Sequence, residues 1–251
     1  MNEERFTDKA DIYKKFRPAY PKALIDYLYS RIGFDQNSQI ADMGSGTGIF
    51  SRLLLERGSR VYCIEPNGDM RKTAEGDLSG YENFVSVGAP AENTGLRDKS
   101  LDFVTAAQAF HWFDRPSFKL ECRRILKPGG KVALIWNERD YKSEIVKKDY
   151  EIRKKYAVDT KGLGLGGGAG HDYLDFFADG VCECEKFPND LHFDKEGFIG
   201  RNLSASYAPR KETDPGRYNG LICELSELFD AHSANGILNY PHFTQSFTGC
   251  V

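Results

Sequence analysis

No stretch of the 251-residue sequence approaches the ~20 consecutive apolar residues that a membrane helix requires; the longest runs, such as Val132–Trp136, fall far short. The opening residues Met1-Asn-Glu-Glu-Arg-Phe lack the apolar core of a signal peptide, so a cytoplasmic chain with no membrane span is expected. The six cysteines form no Cys-x-x-Cys pair, and none of the five histidines stands at metal-ligand spacing from another histidine or a cysteine. No structural metal is expected, and Cys182 and Cys184 read as reduced thiols on one strand face. Positive charge is also scarce, since the net charge is -3, which argues against a protein that coats nucleic acid. The basic residues Lys147, Lys148, Arg153, Lys154 and Lys155 are interleaved with Glu144, Asp149 and Glu151 and read as a solvated helix face. Internal repeats are absent.

What the sequence does contain is an ordinary globular balance, 40% hydrophobic and 28% charged, enough for one large domain or a core with an appendage. From residue 38 to 137 short apolar runs alternate with helical segments. Strands are expected at 38–43, 60–64, 83–87, 101–107 and 132–136, with helices at 49–57, 69–75 and 116–126. This alternation implies an open α/β, Rossmann-like and mostly parallel sheet, whose ligands bind at the carboxyl ends of the strands. An amphipathic helix at 22–32 precedes it. Helices at 141–156, 195–204 and 218–232, a strand region at 181–193 and a final strand at 242–251 follow. The expected organisation is an N-terminal lid and helix (1–37), a cofactor-binding core (38–138), a helical cap insertion (139–210) and a closing helix and strand (211–251).

Glycine, 25 residues in all, is concentrated in two unlike places. Lys161–Gly170 has neither a preceding strand nor a following Lys-Ser/Thr, so it reads as a connector or lid and not as a phosphate loop. Asp42-Met-Gly-Ser-Gly-Thr-Gly48 instead ends a strand and opens a helix, which lets a ligand approach the main chain at Gly44, Gly46 and Gly48. The spacing is GxGxG, not the GxGxxG of dinucleotide sites. Asp42 would repel a pyrophosphate and attract a cationic amino-acid moiety, which points to S-adenosylmethionine. Glu65, closing the second strand, is placed to hold ribose hydroxyls.

Asp42–Gly48, Glu65-Pro66, Ala89-Pro-Ala-Glu92, Gln108-Ala-Phe-His-Trp-Phe-Asp114 and Leu126-Lys-Pro-Gly-Gly130 together resemble the class I S-adenosylmethionine-dependent methyltransferases. The N-terminal Tyr13, Arg17, Pro18, Tyr20 and Pro21 are similar to the small-molecule branch, which includes trans-aconitate-type carboxyl methyltransferases and relatives acting on ubiquinone precursors. The resemblance spans about residues 11 to 137. It implies a seven-stranded sheet, with Gly44, Ser45, Gly46 and Gly48 around the methionine and ribose, and Pro66 and Met70 beside the adenine. Ala91 and Glu92 would meet the adenine edge. The usual Asp of that segment is replaced by Ala89-Pro90-Ala91, leaving Glu92 either as adenine partner or as turn cap. Gln108, Ala109 and Phe110 would line the methyl-transfer end.

His111 has two readings, a general base titrating near the usual imidazole value of about 6.5, or a positioning residue ahead of an Asp114 N-cap. Tyr13 and Arg17 belong to the segment that the family folds over its cofactor. Arg17 is either a clamp for a substrate carboxylate or an ordinary surface side chain. The implied partner is a small-molecule methyl acceptor, without nucleic acid, the protein being a monomer or homodimer. A nicotinamide oxidoreductase, a non-catalytic cofactor-binding module and a nucleic-acid or protein methyltransferase are the rival readings.

Overall fold

A computed structural model describes residues 19–159, 163, 173–205 and 207–251. Tyr13, Arg17 and the 161–170 glycine segment, apart from Leu163, lie outside the described residues. The described residues form two compact units, one from 19–136, 173–187 and 244–251, the other from 137–159, 163, 188–205 and 207–243.

The first unit begins with α1 (Lys22–Tyr27), continued by a wider turn at Leu28–Ile32, and buries Leu24, Ile25, Leu28 and Ile32 on one face. Next come β1 (Gln39–Met43), α2 (Ile49–Leu55), β2 (Arg60–Ile64), α3 (Gly68–Leu78), β3 (Phe84–Val87), β4 (Leu101–Ala107), a 3-10 turn at Phe110–Trp112, α4 (Arg115–Ile125) and β5 (Leu126–Arg139). The remaining elements are α5 (Glu144–Tyr156), 3-10 turns at Leu174–Phe176 and Ala178–Gly180, β6 (Glu183–Pro188), β7 (Leu191–Phe193), α6 (Lys195–Leu203), α7 (Pro215–His232), β8 (Leu238–Tyr240) and β9 (His242–Gly249). Helix starts follow their caps. Asn67 accepts from the backbone N–H groups of Asp69 and Met70, and Asp114 from that of Ser117 with Pro116 in the first turn.

The strands form a seven-stranded sheet in the order β3-β2-β1-β4-β5-β9-β6, in which β3/β2, β2/β1, β1/β4 and β4/β5 are parallel. Parallel neighbours require crossovers, which the intervening helices supply, and this covers both faces. One side is packed by Phe110, Phe118, Cys122, Ile125 and Trp136, the other by Leu24, Leu28, Phe50, Leu54 and Leu78. The strand order reverses between β1 and β4. At such a switch point the loops leaving the two strands part and open a crevice.

Beyond β5 the pattern differs from that expected at two places. The region 181–193 is not one strand. Pro188-Asn189-Asp190 breaks it, so that β6 joins the large sheet while β7 pairs antiparallel with β8, a three-residue strand too short to show an alternation. The charged face of α5 is also not wholly solvated. Lys147, Lys148, Lys154 and Lys155 are exposed, but Asp149 and Arg153, one turn apart, point inward and form an ion pair 2.9 Å long with both side chains 2% exposed. They lie in a unit whose apolar core comprises Val146, Phe198, Leu221, Leu225, Phe229 and Leu238.

Candidate functional site

The Asp42–Gly48 segment leaves β1 with three residues in the left-handed region, Gly44 at φ +65°, Gly46 at +57° and Gly48 at +81°. Two of these turns are also sterically closed. A Cβ on Gly44 would lie 2.7 Å from Ala109 Cβ and 3.3 Å from the Phe113 ring, and one on Gly48 would lie 2.6 Å from Leu78. The loop after β1 is therefore pressed against the loop after β4, as the switch point requires. Backbone bonds from Gly44 and Ser45 to the Ile64 carbonyl, 2.8 and 3.1 Å, tie it to the end of β2.

Glu65 follows directly. Its Oε2 accepts the Gly46 N–H at 2.9 Å and its Oε1 the Asn67 N–H at 2.8 Å, with the side chain 7% exposed. One carboxylate thus fixes both the glycine loop and the start of α3. Arg71 on α3 donates to the Glu65 and Pro66 carbonyls, holding the same turn from its outer side. Met70 is buried, its sulfur 3.8 Å from where a Gly46 Cβ would stand.

Asp42 is 1% exposed and pairs in register with Thr105 across β1 and β4. Its carboxylate accepts from Ser51 Oγ at 2.6 Å and Thr105 Oγ1 at 2.8 Å, so it braces the loop from within the sheet. Burial pushes its pKa up to about 6, against the two hydroxyl bonds and with a smaller push from the Glu65 charge. Because the folded value lies above the unfolded 3.8, the native state holds the extra proton. Its contribution to stability is then complete below about pH 4 and is lost as pH rises through 6. Asp42→Asn should raise stability at pH 7 by ~1–2 kcal/mol, the relieved ionisation cost less a weakened hydroxyl bond. Urea denaturation at several pH values checks this, with the difference closing toward pH 4.

After β4, Gln108 takes a left-handed φ of +59° while its N–H bonds the Ile135 carbonyl at 2.9 Å. Ala109 is the residue against Gly44. The Phe110 side chain is fully buried among Phe113, Phe118, Tyr173 and Phe176, which leaves its backbone as the part that can meet a ligand. His111 is exposed, its ring 4.6 Å from that of Trp112 and 5.2 Å from that of Trp136, whose buried indole Nε1 has no hydrogen-bond partner among the described residues. Ala91 is buried, and Glu92 accepts the Asp114 N–H at 2.8 Å.

Residues from β1, β2, β3 and β4 thus meet at one end of the sheet. Ser51, Thr105, Asn67 and Arg71 were not anticipated there. Of these only Asn67 carried a sequence signal, as an Asn just ahead of a helical run.

The chemistry of the loop fits a ligand with polar edges. Thr47 Oγ1 is buried without a hydrogen-bond partner among the described residues, and at Gly46 no Cβ stands between the main chain and an approaching group. No group of three His, Cys, Asp or Glu among the described residues is arranged for a metal, and no described helix is long and apolar enough to cross a membrane.

Residues 41–134 match the methyltransferase domain family model. An uncharacterized methyltransferase of Mycobacterium tuberculosis is 34% identical over 147 residues, 59% of this chain and 58% of that protein. An uncharacterized methyltransferase-like protein of Schizosaccharomyces pombe is 32% identical over 155 residues, 61% of this chain and 59% of that one. The chain therefore spans under two thirds of the length of these curated relatives. Among solved structures, a candidate type II methyltransferase from Anaeromyxobacter dehalogenans has a TM-score of 0.69 at 24% identity, covering 94% of this chain and 98% of that one. Phosphoethanolamine N-methyltransferase 2 of Haemonchus contortus, solved with phosphomonomethylethanolamine and S-adenosylhomocysteine, has a TM-score of 0.55 at 17% identity, covering 99% of this chain and 59% of that one. Residues 41–134 are thus similar to the methyltransferase domain family, and the sheet has the fold of the solved methyltransferase from Anaeromyxobacter dehalogenans.

Proposed function

We propose that this protein is a methyltransferase that uses S-adenosylmethionine and acts on a small-molecule acceptor, a carboxylate, hydroxyl or related nucleophile. The observation that carries the reading is the Gly44–Gly48 turn at the β1/β4 switch point, with the Glu65 carboxylate bonded to its middle glycine. When bound, the cofactor supplies an electrophilic methyl group on a sulfonium. Gly44, Ser45, Gly46 and Gly48 would hold its methionine and ribose portion, Glu65 the ribose, and Pro66 and Met70 the adenine, with Ala91 and Glu92 at the adenine edge. Gln108, Ala109 and Phe110 would border the reacting end. Asp42 keeps the loop in place and adds negative charge beneath it. Tyr13 and Arg17, outside the described residues, are proposed as lid and acceptor clamp.

The chain's own work in such a displacement is to align the partners and exclude water, effects worth up to ~7–11 kcal/mol. A carboxylate or phenolate acceptor needs no strong base, so His111 is required to take a proton only from a neutral hydroxyl. With a neutral hydroxyl acceptor, His111→Ala should leave S-adenosylmethionine affinity within about twofold and lower turnover tenfold or more, toward the range of about 10²–10⁴ for a lost general base. Wild-type turnover in that variant would reduce the residue to scaffold. Incubation with methyl-labelled cofactor and a panel of small carboxylic acids, phenols and quinol precursors tests the acceptor class. Label entering a small molecule supports the reading, and label entering only protein or nucleic acid contradicts it.

A further inference from the structure

The second unit contains an excess of enclosed positive charge. Arg153 on α5 gives its Nε to Asp149 at 2.9 Å and its Nη1 to Tyr207 Oη at 3.1 Å, yet its Nη2 is buried without a partner among the described residues. Arg139 Nε and Arg201 Nη1 are likewise buried and unpartnered, and neither side chain forms an ion pair among the described residues. Tyr240 joins the group. Its hydroxyl donates to Asp149 at 2.7 Å, and the Arg201 guanidinium lies 5.7 Å above its ring. His242 is 4% exposed beside Arg201 and Arg139, with Nδ1 also unpartnered.

Three guanidinium groups here lie near the carboxylate of Asp149, whose Oδ1 has no partner among the described residues, while Asp190 accepts the backbone N–H of His242 at 3.2 Å. A water shared with that oxygen could satisfy one donor but would leave the charge excess. Burial, then repulsion from Arg139, lowers the Arg201 pKa to about 10, and burial with the two nearby arginines lowers that of His242 to about 3. Arg201 therefore remains charged at neutral pH and His242 remains neutral, with one ring N–H to donate. A guanidinium presents a planar fork of donors matched to two oxygens of an oxyanion. Buried donors of this kind are ordinarily satisfied.

We propose that Arg139, Arg153, Arg201 and His242 form a binding site for the carboxylate or phosphate group of a small molecule. Arg153 also secures Asp149, whereas Arg139 and Arg201 are held without a carboxylate partner among the described residues and are the positions that answer to the ligand. The site is argued from the second unit alone and does not depend on the methyltransferase reading.

The test is a titration of the full chain with inorganic phosphate and, separately, with citrate, followed by thermal midpoint and calorimetry at constant ionic strength. A saturable rise in midpoint with either is expected, and the stronger of the two identifies the headgroup. Arg201→Gln should weaken that binding tenfold or more while its own midpoint without anion stays level or rises, since it relieves repulsion from Arg139. Arg201→Lys, retaining charge but not the fork, should fall between. A wild-type protein with no saturable response to either anion, or an Arg201→Gln protein that responds like wild type, overturns the proposal.

Discussion

Gly44→Val is expected to lower stability by ~2–5 kcal/mol and to abolish S-adenosylmethionine binding. Two independent costs combine. A φ of +65° costs an L residue ~1–2 kcal/mol, more for a β-branched one. The new Cβ would also stand 2.7 Å from Ala109 Cβ, and overpacking of this kind costs ~1–3 kcal/mol. Relief requires the β1 and β4 loops to part, which destroys the crevice between them. Denaturant titration and calorimetry measure the two effects. Gly76→Ala on α3, where nothing lies within 4 Å of the new Cβ and φ is not positive, serves as control. It should stabilise by up to ~1 kcal/mol, as alanine does in a helix interior.

Glu65→Ala is expected to weaken S-adenosylmethionine binding ten- to about 150-fold, equivalent to ~1.5–3 kcal/mol for a lost charge-assisted hydrogen bond. The same change withdraws the acceptor from the N–H groups of Gly46 and Asn67, so a smaller loss of stability should accompany it. Glu65→Gln separates the two. It retains an acceptor oxygen for one backbone donor but turns its amide toward the other, and should bind weakly while folding nearly as well as wild type. Unchanged affinity in both variants would remove Glu65 from the ribose role.

The part of this fold that repeats locally was legible from the sequence. The β1-α2-β2 rhythm, the glycine spacing and the acidic residue ending β2 each lie within a few residues, and the positions of Gly44, Gly46, Gly48 and Glu65 follow from them. The bonds that brace the site were not legible, because they depend on strand register. Nothing in the sequence joins Asp42 to Thr105, 63 positions apart, until β1 lies beside β4 with those residues opposed. The place of Phe110 after β4 is legible, but the core around its side chain is not, because Tyr173 and Phe176 complete it from a distant part of the chain. The arginine group was hidden for the same reason. Arg153 looked like one more charge on a solvated helix, and only the fold brings it to Arg139, Arg201 and Tyr240. Helix α3 ran three residues past its expected end, since Leu78 is buried against Gly48 and tertiary packing extends what propensity leaves open.

The central claim is that the Gly44–Gly48 turn and Glu65 hold S-adenosylmethionine and not a dinucleotide. Isothermal titration of the wild-type protein with S-adenosylmethionine and with NADH, each repeated on Glu65→Ala, tests it directly. Saturable binding of S-adenosylmethionine that weakens at least tenfold in the variant, with no heat from NADH, is the predicted result. Binding of NADH, or S-adenosylmethionine affinity untouched by the loss of Glu65, would contradict it.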